Sequence, residues 1–284
     1  MVLQGDTLWI GSLNGLYTYQ LKSRQLNHFD SKQTGLPHNT IYSIIHTKDN
    51  QIYIGTYNGL CRYVQASGKF ENILLPVNRG GSNLFVNSLL EDTTRQCIWI
   101  GMEGYLFQYN PTIGEMKAIE VFHNNSIKSL ALDGDENLLA GTDNGLYVYQ
   151  NDKEPLQHII HDSRNIQSLT NNIIWNIFSD QEHNIWLGTD YGISLSRYNS
   201  ALQFVPISQI TGTGDGNQFY SLFRDSKGFY WFGGTNGVIR FTHHAGNKHD
   251  AIWYRMGDKN HPLSHNRIFA EIGRAVQQEC RDRS

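Results

Sequence analysis

Six copies of one short pattern constrain this chain of 284 residues more than any other feature. They are LWIGSLNGLYTY (8–19), IYIGTYNGLCRY (52–63), IWIGMEGYLFQY (98–109), LLAGTDNGLYVY (138–149), IWLGTDYGISLSRY (185–198) and YWFGGTNGVIRF (230–241). Their anchoring glycines, Gly11, Gly55, Gly101, Gly141, Gly188 and Gly233, are spaced by 44, 46, 40, 47 and 45 residues. A repeat of this length marks a modular architecture. A second glycine follows four residues later in five copies and three later at Gly104.

Each copy reads as strands. The apolar-aromatic run before the anchor is one strand, and the N-G or D-x-G element is a tight turn with glycine at positive φ. The alternating stretch after it, such as LYTY, is the next strand. A further strand precedes each anchor: NTIYSIIHTKD (39–49), FVNSLLED (85–92), NSIKSLALD (125–133), NNIIWNIFSD (171–180) and NQFYSLFRD (217–225). KFENILL (69–75), EMKAIEVF (115–122) and ALQFVPI (201–207) supply a fourth. Four antiparallel strands every 40 to 47 residues describe a propeller blade, so the expected fold is an all-β propeller of about six blades. No window sustains a 3.6-residue period, which excludes a helical solenoid. Asp49, Asp92, Asp133, Asp180 and Asp225 end the preceding strands and are expected to cap the turns that follow.

The repeats span residues 1–269, with the first blade short of most of its first strand. LSHNRIF (263–269) opens a further copy that then fails, and residues 270–284 lie outside the repeat as a tail. Two arrangements follow. The strand near Asn266–Phe269 completes the first blade and closes a six-bladed ring, or the chain is part of a seven-bladed propeller.

The core W-I-G-T-x-x-G-L-x-x-Y, with its upstream L-x-x-N-x-I-x-S-I strand, resembles the two-component regulator propeller repeat. LPHNTIYSI (36–44), LTNNIIWNI (169–177) and LSHNRI (263–268) carry the likeness best. That repeat builds the periplasmic sensor region of hybrid two-component systems in gut Bacteroidetes. There, two tandem seven-bladed propellers and a β-sandwich precede a membrane span, a histidine kinase and a response regulator. The resemblance therefore implies a periplasmic ligand-sensing portion, with kinase domains absent from this chain. Neighbouring sensor domains or a second protomer are the implied partners.

Composition narrows the alternatives. Lys+Arg total 23 against Asp+Glu 26, with no basic patch, which argues against nucleic acid. No apolar run reaches the length of a membrane span, and MVLQGDTLWIG has no signal-peptide character. Cys61, Cys97 and Cys280 are too scattered for a disulfide framework or zinc ribbon. No hydrolase elbow, metalloprotease helix, phosphate loop or dinucleotide fingerprint is present. GTGDG (212–216) precedes a strand and reads as a loop. Five of 12 histidines, His243, His244, His249, His261 and His265, fall close together, but their irregular spacing reads as a loop rather than a metal site. No cofactor is expected.

Strand direction locates the candidate site. Turns between the second and third strands share a face with the loops entering each first strand. That face carries His38, Tyr57, Asn58, Phe85, Glu103, Asp143, Asp190, Tyr191, Asn217 and Asn236. Neutral polar groups and aromatic faces suit an oligosaccharide or another small ligand. Part of the set has a plainer reading, because asparagine in these turns serves turn geometry. Two other functions stay open: a propeller lyase or hydrolase using His38 and Glu103, and a protein-interaction scaffold. The opposite face, with turns TKDNQ, EDTTRQ, DGDEN, DQEHN and DSKGF, is mixed in charge and reads as solvated.

Overall fold

A computed structural model describes residues 1–77, 84–119, 125–150, 157–198, 204–206, 217–242 and 251–268. His243, His244, His249, the 212–216 glycine loop, Cys280 and the 270–284 tail lie outside the described residues. The fold is all-β and of the propeller class, and the described residues form 24 strands in six four-stranded antiparallel sheets. They fall into two compact units, one of residues 1–127 and one beginning at Lys128.

In the first unit, sheet one runs β1 (Val2–Gln4), β2 (Thr7–Ser12), β3 (Gly15–Gln20), β4 (Leu26–Phe29). Sheet two runs β5 (Ile41–His46), β6 (Ile52–Thr56), β7 (Gly59–Val64), β8 (Lys69–Ile73). Sheet three runs β9 (Val86–Asp92), β10 (Cys97–Met102), β11 (Tyr105–Asn110), β12 (Glu115–Ile119). The second unit repeats the plan. Its sheet four runs β13 (Ile127–Leu132), β14 (Leu138–Thr142), β15 (Gly145–Tyr149), β16 (Gln157–Ile159). Sheet five runs β17 (Ile174–Ser179), β18 (Ile185–Thr189), β19 (Gly192–Ser196), β20 (Phe204–Pro206). Sheet six runs β21 (Phe219–Arg224), β22 (Phe229–Gly234), β23 (Gly237–Thr242), β24 (Ile252–Tyr254).

The first strand of the first blade is short: Val2–Gln4 pairs with Thr7–Trp9, where the first strands of the other blades have six or seven residues. Residues 266–268 lie against blade six, where the Gly237 N–H donates to the Asn266 carbonyl and the Ile268 N–H to the Gly234 carbonyl. One sequence expectation changes. The turn-capping role of Asp49 passes to Thr47, which occupies the strand-end position held elsewhere by an aspartate and accepts the Gln51 N–H at 3.1 Å.

At the other strand ends the aspartates do cap the turn. Asp180 Oδ1 accepts the Glu182 and Asn184 backbone N–H groups, and Asp133 and Asp225 do likewise in their blades. The second carboxylate oxygen takes the tryptophan of the W-I-G core: Trp99 to Asp92 at 2.9 Å, Trp186 to Asp180 and Trp231 to Asp225 at 2.8 Å. In blade one Gln4 receives the Trp9 indole instead, at 3.1 Å. A buried indole N–H needs an acceptor, and a charged one bonds more strongly.

Within each unit the core fills the space between successive sheets. Trp9, Leu16, Ile41, Ile54 and Phe70 form one such cluster, and Trp186, Leu222, Tyr230, Phe232 and Phe241 another. The anchor glycines let sheets approach. A Cβ on Gly11 would lie 2.6 Å from Ile41 Cγ2, one on Gly101 2.6 Å from Ile127 Cγ2, and one on Gly233 2.8 Å from Ile268 Cγ2. Each anchor is thus a socket for the first apolar residue of the following segment. Cys61 and Cys97 are buried, and burial pushes the Cys61 thiol far above its ordinary range.

Candidate functional site

Four of the six turns between second and third strands are built alike. Ser12, Thr56, Thr142 and Thr189 each accept a backbone N–H two residues on and donate to the carbonyl of the turn glycine. Blade six has Gly234 at that place, and the Asn217 Oδ1 replaces the missing hydroxyl. It accepts the Asn236 N–H at 2.9 Å and the Thr235 hydroxyl at 2.6 Å. Asn217 is therefore a turn brace, 2% exposed. Asn236 beside it is exposed, and its carbonyl accepts the Arg255 guanidinium at 3.2 Å.

In the first unit four sequence-derived candidates meet. His38 stands 4.8 Å from Tyr57 between ring centroids, and Tyr57 stands 4.4 Å from Phe85 in an edge-on contact. Tyr42 completes the group, 6.4 Å from both Tyr57 and Phe85, and is 44% exposed. Partial burial raises the Tyr42 phenol above its ordinary range, helped by Tyr57 and by the charge of the fourth candidate, Glu103. Asn58 lies in the exposed turn beside Tyr57 and accepts the Leu84 N–H at 3.4 Å. His38 Nδ1 accepts the Thr40 N–H at 3.0 Å, and His265 makes the same bond to Arg267 at 2.9 Å. A backbone N–H can only donate, so the neutral His38 ring carries its proton on Nε2.

In the second unit Asp190 is the organising residue. Its Oδ1 accepts the Trp175 indole at 3.0 Å and the Gln218 amide at 2.6 Å. Gln218 Oε1 accepts the Tyr220 hydroxyl at 2.5 Å, and Tyr220 packs edge-on to Trp175 at 5.3 Å. Lys128 Nζ lies 4.5 Å from the centre of the Trp175 ring. Tyr191 is 61% exposed beside this group, and Asp143 sits in the exposed turn of blade four.

Sequence reasoning missed Tyr42, Lys128, Trp175 and Tyr220. The ladder registers explain Tyr42, Trp175 and Tyr220. Ile41 faces Thr56 while Ser43 faces Gly55, which leaves Tyr42 as an extra residue. Asn87, Trp175 and Tyr220 are extra in the same way. A β-bulge re-aims the side chain it inserts. The signal was present: one varying residue sits between a repeating apolar and a small polar residue in I-Y-S, V-N-S, I-K-S, I-W-N and F-Y-S.

Comparison with known proteins supports the resemblance read from the repeats. Residues 35–58, 168–191 and 213–236 match the model of the two component regulator propeller. The chain is 81% identical to the extracellular domain of BT4673 from B. thetaiotaomicron, described as a one component or a hybrid two component system, with TM-scores of 0.68 and 0.69. The match covers 94% of this chain but 36% of that one, so the chain spans about a third of the solved domain. Virginiamycin B lyase from Staphylococcus aureus is 12% identical over 94% of this chain and 87% of its own, with a TM-score of 0.68, a likeness of fold alone. No curated protein sequence matches the chain. Among the described residues no helix is long and apolar enough to cross a membrane, and no group of three or more His, Cys, Asp or Glu could hold a metal ion.

Proposed function

We propose that this chain is a non-catalytic, ligand-sensing propeller portion of a hybrid two-component sensor, placed in the periplasm, and that it recognises a glycan-derived ligand. The observation that carries the reading is the aromatic group of His38, Tyr42, Tyr57 and Phe85, on the loop face of a chain 81% identical to an extracellular domain. Aromatic faces beside neutral polar turns suit the apolar side of a pyranose and its hydroxyls. Binding shifts the arrangement of neighbouring domains or protomers rather than reshaping a blade, and kinase domains outside this chain take up the signal.

A lyase or hydrolase is the weaker reading. With Nδ1 accepting the Thr40 N–H, the His38 ring has no lone pair left for a substrate proton. The deciding experiment is thermal unfolding of the purified chain against a panel of plant, host and microbial oligosaccharides. Selective binding to the folded state raises the midpoint with concentration. A shift that disappears in Tyr57→Ala supports the sensor reading. A cooperative transition that no saccharide moves removes the glycan, and turnover of a panel member abolished by His38→Ala restores the enzyme.

A further inference from the structure

In the second unit the network around Asp190 includes a lysine, Lys128, that makes no ion pair among the described residues. Lys128, Trp175, Asp190, Gln218 and Tyr220 are all half-buried. Asp190 is turned to the edge of Trp175 and to Gln218, and both its recorded donors are neutral. Lys128 lies over the face of the same ring, and among the described residues no carboxylate is within ion-pair distance of it. An ammonium has three donors, and a ring face engages one side of it.

We infer that Lys128, held on Trp175, is a subsite for the carboxylate of an acidic sugar residue. This inference rests on the glycan reading above and names the chemistry of one end of the ligand. The geometry favours a single negative charge. There is one ammonium and no guanidinium fork in the group, and the nearby Asp190 carboxylate repels a dianion such as a phosphate monoester. The tyrosine and glutamine locked beside it offer polar edges to the hydroxyls of the same sugar. Because Trp175 is fixed by Asp190 on one edge and by Tyr220 across the ring, Lys128 has a rigid platform, so little ordering is needed on binding.

The test is calorimetric titration of the purified chain with tetragalacturonate and with its neutral methyl ester. The acid is expected to bind at least about tenfold more tightly than the ester, with the margin shrinking as salt is added. Lys128→Met keeps an apolar stem over Trp175 and is expected to fold with an unchanged midpoint but to erase the margin, while Lys128→Arg keeps it. Equal affinity for acid and ester, or a margin that survives in Lys128→Met, overturns the subsite and leaves the glycan reading standing. Binding of neither compound also overturns it, and the oligosaccharide panel then judges the glycan reading separately.

Discussion

The carboxylate of Asp180 is 2.8 Å from the hydroxyl of Tyr230, a residue of the next blade. The same oxygen takes the Trp186 indole and the Asn184 amide, at 2.8 and 3.0 Å. Asp180 is 4% exposed and Tyr230 1%. An aspartate that caps a turn in its own blade thus also ties two blades together through a shared, water-excluded oxygen. Removing one donor from a buried charged acceptor costs about 1–2 kcal/mol. Tyr230→Phe is therefore expected to lower stability by about that amount in urea titrations, and a loss below about 0.5 kcal/mol contradicts the assigned role.

Alkali is expected to act on a buried tyrosine in each unit. Burial, with the neighbouring Tyr109, pushes the Tyr53 phenol up to about 12. Burial and Asp180 raise the Tyr230 phenol further. An unfolded tyrosine ionises near about 10. The folded state then holds protons that the unfolded state has lost, so stability is full below about pH 10 and falls as pH climbs through about 12. Urea midpoints across that window are expected to decline, and less steeply in Tyr53→Phe.

The acid limb has a different origin. Burial pushes the Asp92 carboxyl upward, but the Trp99 indole, the Arg95 backbone N–H and the Arg95 guanidinium outweigh it and hold the group below the usual carboxylate range. A lowered value means that the stabilisation is present above the unfolded pKa, near about 3.9, and is lost as pH falls through the folded one. Asp92→Asn is expected to flatten the acid branch of the stability curve while leaving the alkaline branch as it was.

Sockets leave no room for a methyl group. A Cβ on Gly101 would lie 2.6 Å from both Ile127 Cγ2 and Ser88 Oγ. Overpacking of this kind costs about 1–3 kcal/mol. Gly101→Ala is expected to fall in that range by denaturant unfolding.

Much of this was legible because the repeat is written in residues whose jobs are backbone jobs. Gly11 and Gly233 must be glycine for contact distance, and Gly59 for a φ of 116°. The strand-end aspartates announced their turns, yet spacing alone put Asp49 where Thr47 does the work, since either side chain satisfies the same N–H groups. That His38, Tyr57 and Phe85 share a face followed from strand direction. Tyr42 and Trp175 did not, because a bulge breaks the alternation on which that reasoning depends. The brace made by Asn217 was not legible, because it belongs to the one blade whose turn has Gly234 where blade five has the Thr189 hydroxyl.

The sockets also give the repeat a direction. Gly11 receives Ile41, Gly101 receives Ile127 and Gly233 receives Ile268, in each case a residue belonging to the segment that comes next. Plug and hole are thus never encoded in the same copy. A duplicated stretch running from one plug to the next hole carries both halves of a compatible joint, so copies can be gained singly while every existing joint is kept. The grammar of growth for such a chain lies in a single missing methyl group.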